Sequence, residues 1–466
     1  MFIGREAEMA KLEALYKEPG FQMPVIYGRR RVGKTRLLQE FCAGKKCVFY
    51  TAIEQNDGEA LRLFSRALLE ALPGEASSYI DSFDSWDSAF RYAADFARTE
   101  RLILAIDEYP YLAGANSALP SILQRAIDHY FSAGSLFLVL CGSSMSFMEN
   151  EVLNYKSPLY GRRTAQLKIQ PLDCFDSIKF LPGWEEAERL MAYGITGGIP
   201  QYLLAAARHD SFREAVVEEF LTGSGVLYEE PANLMKQEMR EPAVYNSVIR
   251  AVAGGASRQS EISDRVGMPS GSAANYIRAL ADLDIIEKER PFGDKSPRRV
   301  VYRVKDHLFR FWHRFIPAAL PMIGMGMPSE AYDMLIAPNY SEYFGPVFEE
   351  ICRQYLVRRN RKRSLGDIYT NFSRWWGTNP ATKQQEEIDI VGAGENGALF
   401  GECKWRGERA SSAELDRLVR RSANLLTDKD REFFLFSRSG FTKGLVQKAA
   451  GAGNLTLVGL RELLDV

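Results

Sequence analysis

The sequence predicts an α/β protein of several domains, with a parallel sheet first, helices and a hairpin next, and a mixed α/β part last. Three observations predict it. Five short runs within residues 1–170 are apolar without alternation: MPVIYG (23–28), CVFYTA (47–52), RLILAID (101–107), SLFLVLCG (135–142) and TAQLKIQ (164–170). Helical patterns separate them, as strands of a parallel sheet buried on both faces require. The chain has 466 residues, enough for about three domains of roughly 150 residues each. From Pro171 the pattern changes character twice more. The expected boundaries are 1–170 for the sheet core, 171–236 for a helical part and 237–315 for three helices with a hairpin. A Pro/Gly/Met-rich linker at 316–334 and an α/β domain at 335–466 complete them.

Composition is that of an ordinary globular chain, 46% hydrophobic and 26% charged. No uninterrupted apolar stretch reaches the roughly 18 residues of a membrane span. The start, MFIGREAEMAKLEALY, carries acidic residues and helical periodicity where a signal peptide needs a basic end and an apolar run. Six scattered cysteines form no CxxC pair, which points to reduced thiols, the cytoplasm and no zinc site. The net charge of −1 is uneven: residues 351–466 hold 20 Lys and Arg against 14 Asp and Glu, so they carry +6 and the remainder −7. A basic C-terminal part permits a polyanion partner.

Each element then has its own justification. GRRRVGKT fits G-x-x-x-x-G-K-[ST], with Gly28, Gly33, Lys34 and Thr35 at the fixed positions. It follows a β-rich run and opens a helical one, the context that a phosphate-binding loop needs. Glycines let backbone N–H groups wrap a phosphate, and the helix N-terminus adds its dipole. Lys34 is expected at the β- and γ-phosphates of ATP and Thr35 on Mg2+. Arg31 and Val32 in the loop and Arg36 in the next turn are expected at the nucleotide too. RLILAIDEYPYL ends an apolar strand on Asp107 and Glu108. An acid there can hold the magnesium shell, and its neighbour can orient or deprotonate the attacking water. Hydrolysis is therefore expected as well as binding.

With these residues in place, the region resembles the AAA+-related P-loop ATPases of the STAND and archaeal-type group. FIGREAEMAKLEALY (2–16) is similar to that group's opening motif near the adenine. CGSSMSFM (141–148) resembles the segment whose polar residue, Ser143 or Ser144 here, senses the γ-phosphate. YGRR (160–163) implies an arginine finger at Arg162 or Arg163, which would require a homo-oligomer if it acts in trans. GITGGIPQYL (194–203) looks like the lid motif that meets the base near Gly198 and Pro200.

Residues 245–304 read as three helices and a hairpin. Ser260 can cap the second helix and Gly267–Pro269 supplies the turn. That is a winged helix-turn-helix. Ser270, Ser272 and Asn275 could enter a major groove, with Arg298 and Arg299 near phosphates, and the helix itself carries one arginine, Arg278, and no lysine.

In the last domain FGPVFEEICRQYL (344–356) is an amphipathic helix with Glu349 and Glu350. EEIDIVG (386–392) puts Asp389 on a strand, and LFGECKWR (399–406) puts Glu402 and Lys404 on the next. Side chains two apart on a strand share a face, so Glu-x-Lys converges on one point that Asp389 can reach. Two carboxylates suit a hard cation such as Mg2+, and a lysine beside them can position water. This order resembles the PD-(D/E)XK nuclease fold and the C-terminal domain that follows such ATPases. The resemblance implies Glu349, or its neighbour Glu350, with Asp389 and Glu402 as metal ligands, and Lys404 as catalytic. The expected whole is a P-loop NTPase sheet with a helical lid, then a winged helix, then a restriction-endonuclease-like domain. Its expected cofactors are ATP and Mg2+ and its expected partner is DNA. A non-cleaving nucleotide switch or transcription regulator is the alternative.

Overall fold

The computed structural model describes residues 2–74, 76–239, 241–294, 296, 299–379 and 383–465. Arg298 lies outside them. The chain forms two compact units, residues 1–171 with 199–201, and residues 172–198 with 202–466.

The first unit is built on a five-stranded sheet: β1 (Pro24–Tyr27), β2 (Cys47–Thr51), β3 (Leu102–Asp107), β4 (Leu136–Gly142) and β5 (Ala165–Lys168). All pairings are parallel and the order is β2-β3-β4-β1-β5. β1, β3 and β4 are buried along their whole length, which their unbroken apolar runs require. The outer strands are less covered, since fewer elements pack on a sheet edge: β2 buries alternate residues, Val48 and Tyr50, and β5 buries Leu167 alone. Helices start where the sequence can cap them: Asn56 accepts from the Glu59 amide and Ser85 from the Ser88 amide. Their inward faces place Phe64, Trp86 and Phe90 against the sheet.

The second unit begins with the helical segment. Helix Glu186–Thr196 stops at Gly197, whose φ of 59° is the left-handed cap a glycine adopts without strain. Helices Pro242–Ala253, Gln259–Val266 and Ser270–Asp282 follow, with the antiparallel hairpin β6 (Ile286–Glu289) and β7 (Val301–Val304). Val248, Ile249, Ile262, Ile277 and Leu280 close the core of this winged helix.

The expected linker at 316–334 is helical instead. Helix His307–Gly324 runs through Pro317 and Pro321, a short helix and a single π turn occupy Pro328–Ile336, and a 25-residue helix covers Ala337–Arg361. Burial of Phe311, Phe315, Ile316 and Ala319 outweighs the composition that reads as a linker. The lid, winged helix and C-terminal domain therefore pack as one unit.

The last sheet has the order β12-β11-β10-β9-β8, from β8 (Asn371–Thr378), β9 (Gln385–Ala393), β10 (Gly397–Lys404), β11 (Asp430–Ser437) and β12 (Leu455–Val458). β8, β9 and β10 form an antiparallel meander, and β10, β11 and β12 are parallel. Helix Ser412–Ser422, entered through a Ser411/Glu414 capping box, makes the crossover from β10 to β11.

Candidate nucleotide site and carboxylate cluster

The phosphate-binding loop joins β1 to helix Lys34–Cys42. Its backbone needs its glycines. Gly28 has φ +152°, and a Cβ there would stand 2.4 Å from the Ile169 carbonyl oxygen. Arg31 and Gly33 take left-handed φ values of 71° and 93°. Val32 is fully buried. The buried Lys34 folds back, donating to the Gly28 carbonyl at 2.9 Å and the Arg29 carbonyl at 3.0 Å. Burial pushes its ammonium pKa down, against the raising pull of Cys141, Glu108 and Asp107.

Parallel pairing carries Asp107, at the end of β3 and 1% exposed, to the same edge of the sheet. Thr35 Oγ1 donates to Asp107 Oδ2 at 2.7 Å. Glu108 follows at φ 54° and its Oε2 accepts from the Ser143 amide at 3.1 Å and the Ser143 hydroxyl at 2.8 Å. Ser143, not Ser144, is thus the serine that meets the second acid. Arg36 lies outside this group, paired with Glu40 at the surface. Pro200 lies by the loop, where a Cβ on Gly33 would stand 3.8 Å from its Cγ. Gly198 belongs to the second unit, where a Cβ would meet the Leu172 carbonyl oxygen at 1.9 Å.

Both candidate finger residues are engaged by their own chain. Arg162 makes a forked pair with Asp128 at 2.8 and 2.7 Å, and Arg163 donates to the Leu153 carbonyl at 2.8 Å. An exposed pair of this kind is worth at most about 1 kcal/mol.

Sequence reasoning passed over Arg5. Its guanidinium is 5% exposed and donates to the Val32 carbonyl at 2.9 Å and the Gln170 carbonyl at 2.7 Å. It clasps the loop to the chain leaving β5. The signal was present, since Arg5 is the basic residue of the FIGRE segment.

In the second unit β9 and β10 pair with Gly401 opposite Ile390, which brings Asp389 level with Glu402. Asp389 Oδ2 accepts from the Cys403 amide at 2.8 Å, and Lys404 Nζ stands 2.6 Å from Glu402 Oε1. Burial and then the charge of Glu402 push the Asp389 carboxyl up to about 6, against the lowering pull of Lys404. On helix Ala337–Arg361 the two glutamates separate. Burial and the charge of Asp389 push Glu349 up to about 8. Glu350 points elsewhere, to His307 Nε2 at 3.0 Å and the Tyr193 hydroxyl at 2.9 Å. Burial would raise its pKa, but His307, Arg353 and Tyr193 hold it down to about 2.

Glu349 is therefore the helix acid that senses Asp389. Among the described residues, though, no three His, Cys, Asp or Glu side chains are grouped as ligands for one ion. The expected three-carboxylate set is an Asp389–Glu402 pair, with Glu349 drawn to Arg374 at 3.3 Å. A guanidinium, invisible to the Asp/Glu-x-Lys pattern, supplies the nearby positive charge.

Residues 2–206 match the model of an ATPase domain found predominantly in Archaea, and residues 312–416 match a family of archaeal and bacterial proteins of unknown function. An uncharacterized protein of Methanocaldococcus jannaschii is 32% identical over 412 residues, covering 87% of this chain and 88% of that one. This chain belongs to the archaeal-type P-loop ATPase family. A second protein of that organism, described as ATP-binding, is 44% identical over 46 residues, 10% of this chain and 78% of its own length. The Walker-type ATPase of Pyrococcus abyssi shares the fold, with a TM-score of 0.54 at 22% identity over 67% of this ATPase and 96% of that chain. Among the described residues no helix of this ATPase is long and apolar enough to cross a membrane.

Proposed function

We propose that this ATPase hydrolyses ATP with Mg2+ as a switch, and that its C-terminal domain is a metal-dependent nuclease-like module acting on DNA under control of the nucleotide state. The observation that carries the nuclease half is the buried cluster of Asp389, Glu402 and Lys404 beside Glu349. Glu402 Oε2 and Glu349 Oε2 are buried without a hydrogen-bond partner. Hard oxygen donors with unfilled capacity fit a hard divalent cation. Glu349, Asp389 and Glu402 would hold it, and such an ion, once bound, lowers the pKa of water and steadies charge on a phosphate. Lys404, held by Glu402, is set to orient the attacking water. The +6 balance of residues 351–466 suits a DNA backbone.

In the nucleotide site Lys34 would exchange two carbonyls for phosphate oxygens. Thr35 and Asp107 would hold Mg2+. Glu108 would accept the proton of the attacking water once Ser143 releases it. Pro200 would meet the base. Arg162 or Arg163 would reach a neighbouring copy in a homo-oligomer, exchanging its present partner.

A second reading, a switch that binds but does not cleave, is favoured by the lack of a grouped three-ligand set among the described residues. Incubating labelled duplex and single-stranded DNA with Mn2+ or Mg2+ separates the two. Cutting by wild type and not by Lys404→Ala supports the nuclease. No cutting of any form by wild type, with ATP turnover intact, leaves the non-cleaving switch.

A further inference from the structure

The wing of the winged helix lies against the C-terminal sheet. β8 is the edge strand there, and its ladder with β9 breaks register between Ser373 and Trp375. Ser373 faces Val391 and Trp375 faces Ile388, so Arg374 alone stands opposite two residues of β9, Ile390 and Asp389. The extra residue is therefore on β9, and the ladder is locally disrupted beside Arg374. The Arg374 carbonyl accepts from the amide of Phe292, just past β6, at 2.7 Å. The Phe292 ring packs onto the C-terminal core, as Trp375 does.

The guanidinium, 12% exposed, faces three carboxylates. It stands 2.9 Å from Glu387, 3.3 Å from Glu349 and 3.6 Å from Glu289 at the end of β6. Glu289 also has Arg303 at 3.2 Å across the hairpin. Arg374 Nε, Glu349 Oε2 and Glu289 Oε2 are buried and make no hydrogen bond. The group is thus held by charge and by the backbone bond to Phe292 more than by satisfied side-chain hydrogen bonds. Such a cluster is sensitive to any added charge, because unpaired buried ions are costly.

We propose that Arg374 is a positioning residue shared by the wing and the carboxylate cluster, so that wing docking and divalent-cation binding at Glu349, Asp389 and Glu402 oppose each other. The docked wing fixes the Arg374 backbone through Phe292 and adds Glu289, which keeps the Arg374 guanidinium beside Glu349. A cation at Glu349 repels that guanidinium and displaces the segment of β8 whose Arg374 carbonyl holds Phe292. Linkage makes the effect reciprocal: a wing drawn away leaves Arg374 free to turn out, and the cation binds more tightly. This rests on the metal half of the reading above.

The test is hydrogen–deuterium exchange of residues 286–294 in the full chain, with and without Mn2+, beside calorimetric Mn2+ titration. Wild type, Arg374→Gln and the milder Glu289→Gln are compared. Arg374→Gln should speed exchange of the wing about tenfold, as loss of a charge-assisted contact implies. Mn2+ should speed it in wild type, and both variants should bind Mn2+ about tenfold more tightly. Equal Mn2+ affinity in all three proteins, with wing exchange unchanged, overturns the proposal. No Mn2+ bound by any of the three overturns the metal reading itself, and with it the opposition.

Discussion

Replacing Arg5 by alanine should loosen the phosphate-binding loop by emptying two main-chain acceptors that brace it. The guanidinium is almost fully buried and holds two main-chain carbonyls, Val32 at 2.9 Å and Gln170 at 2.7 Å. A hydrogen bond from a charged donor is worth about 1.5–3 kcal/mol, and a buried acceptor left empty costs a further part of its desolvation. Two such bonds give about 3–5 kcal/mol after allowing for relaxation and for water reaching the gap. Part of this loss should appear as stability and part as nucleotide affinity, because the left-handed turn at Arg31 and Gly33 is then braced on one side only. The assay is paired: urea unfolding monitored by fluorescence, and calorimetric titration with ATP and Mg2+. Arg5→Ala should lower the stability of the nucleotide-binding unit by several kcal/mol and weaken ATP binding at least about tenfold. Arg5→Lys, which keeps the charge on a shorter side chain without the planar fork, should fall between. If Arg5→Ala keeps the wild-type unfolding midpoint and binds ATP within twofold of wild type, the clasp has no energetic role and the reasoning fails.

Other perturbations follow from the same geometry. Glu108→Gln should cut turnover at least about a hundredfold while leaving ATP affinity near wild type, read by phosphate release and titration, since the amide can still accept from Ser143 but cannot take a proton. Gly28→Ala should abolish nucleotide binding in a titration, because the new methyl would lie 2.4 Å from the Ile169 carbonyl oxygen at a φ of +152°. His313 gives stability a pH dependence. Burial, then the charge of Arg250, hold its imidazole at about 4 against an ordinary 6.5. The unfolded chain therefore binds a proton between those values that the folded chain refuses. The contribution is complete above about pH 6.5 and is lost as pH falls to 4, on the order of 3 kcal/mol. Denaturant titrations from pH 4 to 7 should show His313→Leu with a flatter profile than wild type. An equal slope in both proteins would remove His313 as the cause.

Much of the nucleotide-binding unit was legible because its signals are local. A glycine-bounded loop between a buried strand and a helix, and an acid pair ending an apolar strand, state their positions within a few residues. Parallel pairing then has to bring Asp107 to Thr35. The edge strands were read less well, since β2 buries only alternate residues, β5 buries only Leu167, and β5 is shorter than its apolar run. The stretch at 316–334 misled for a physical reason. Pro317 and Pro321 lower helix propensity, but Phe311, Phe315 and Ile316 bury one face of the same helix. Tertiary burial outweighs propensity where the apolar face is this continuous.

The carboxylate cluster shows where such reading stops. Asp389, Glu402 and Lys404 follow from strand periodicity and a hairpin register, so their meeting could be read from spacing alone. The choice between Glu349 and Glu350 could not. Adjacent helical residues point about 100° apart, and only the partners on each side, Asp389 and Arg374 for one and His307 and Tyr193 for the other, decide which faces the strands. Arg374 was harder still. Its position depends on a break in the ladder where Arg374 faces two residues of β9, and nothing in FSRWWG or EEIDIVG marks that break. A residue placed by an irregularity has no period to betray it, although here it ties a wing strand to a candidate metal ligand. The cluster's regular strands could be inferred from local pattern, while the residue linking it to the wing required the fold.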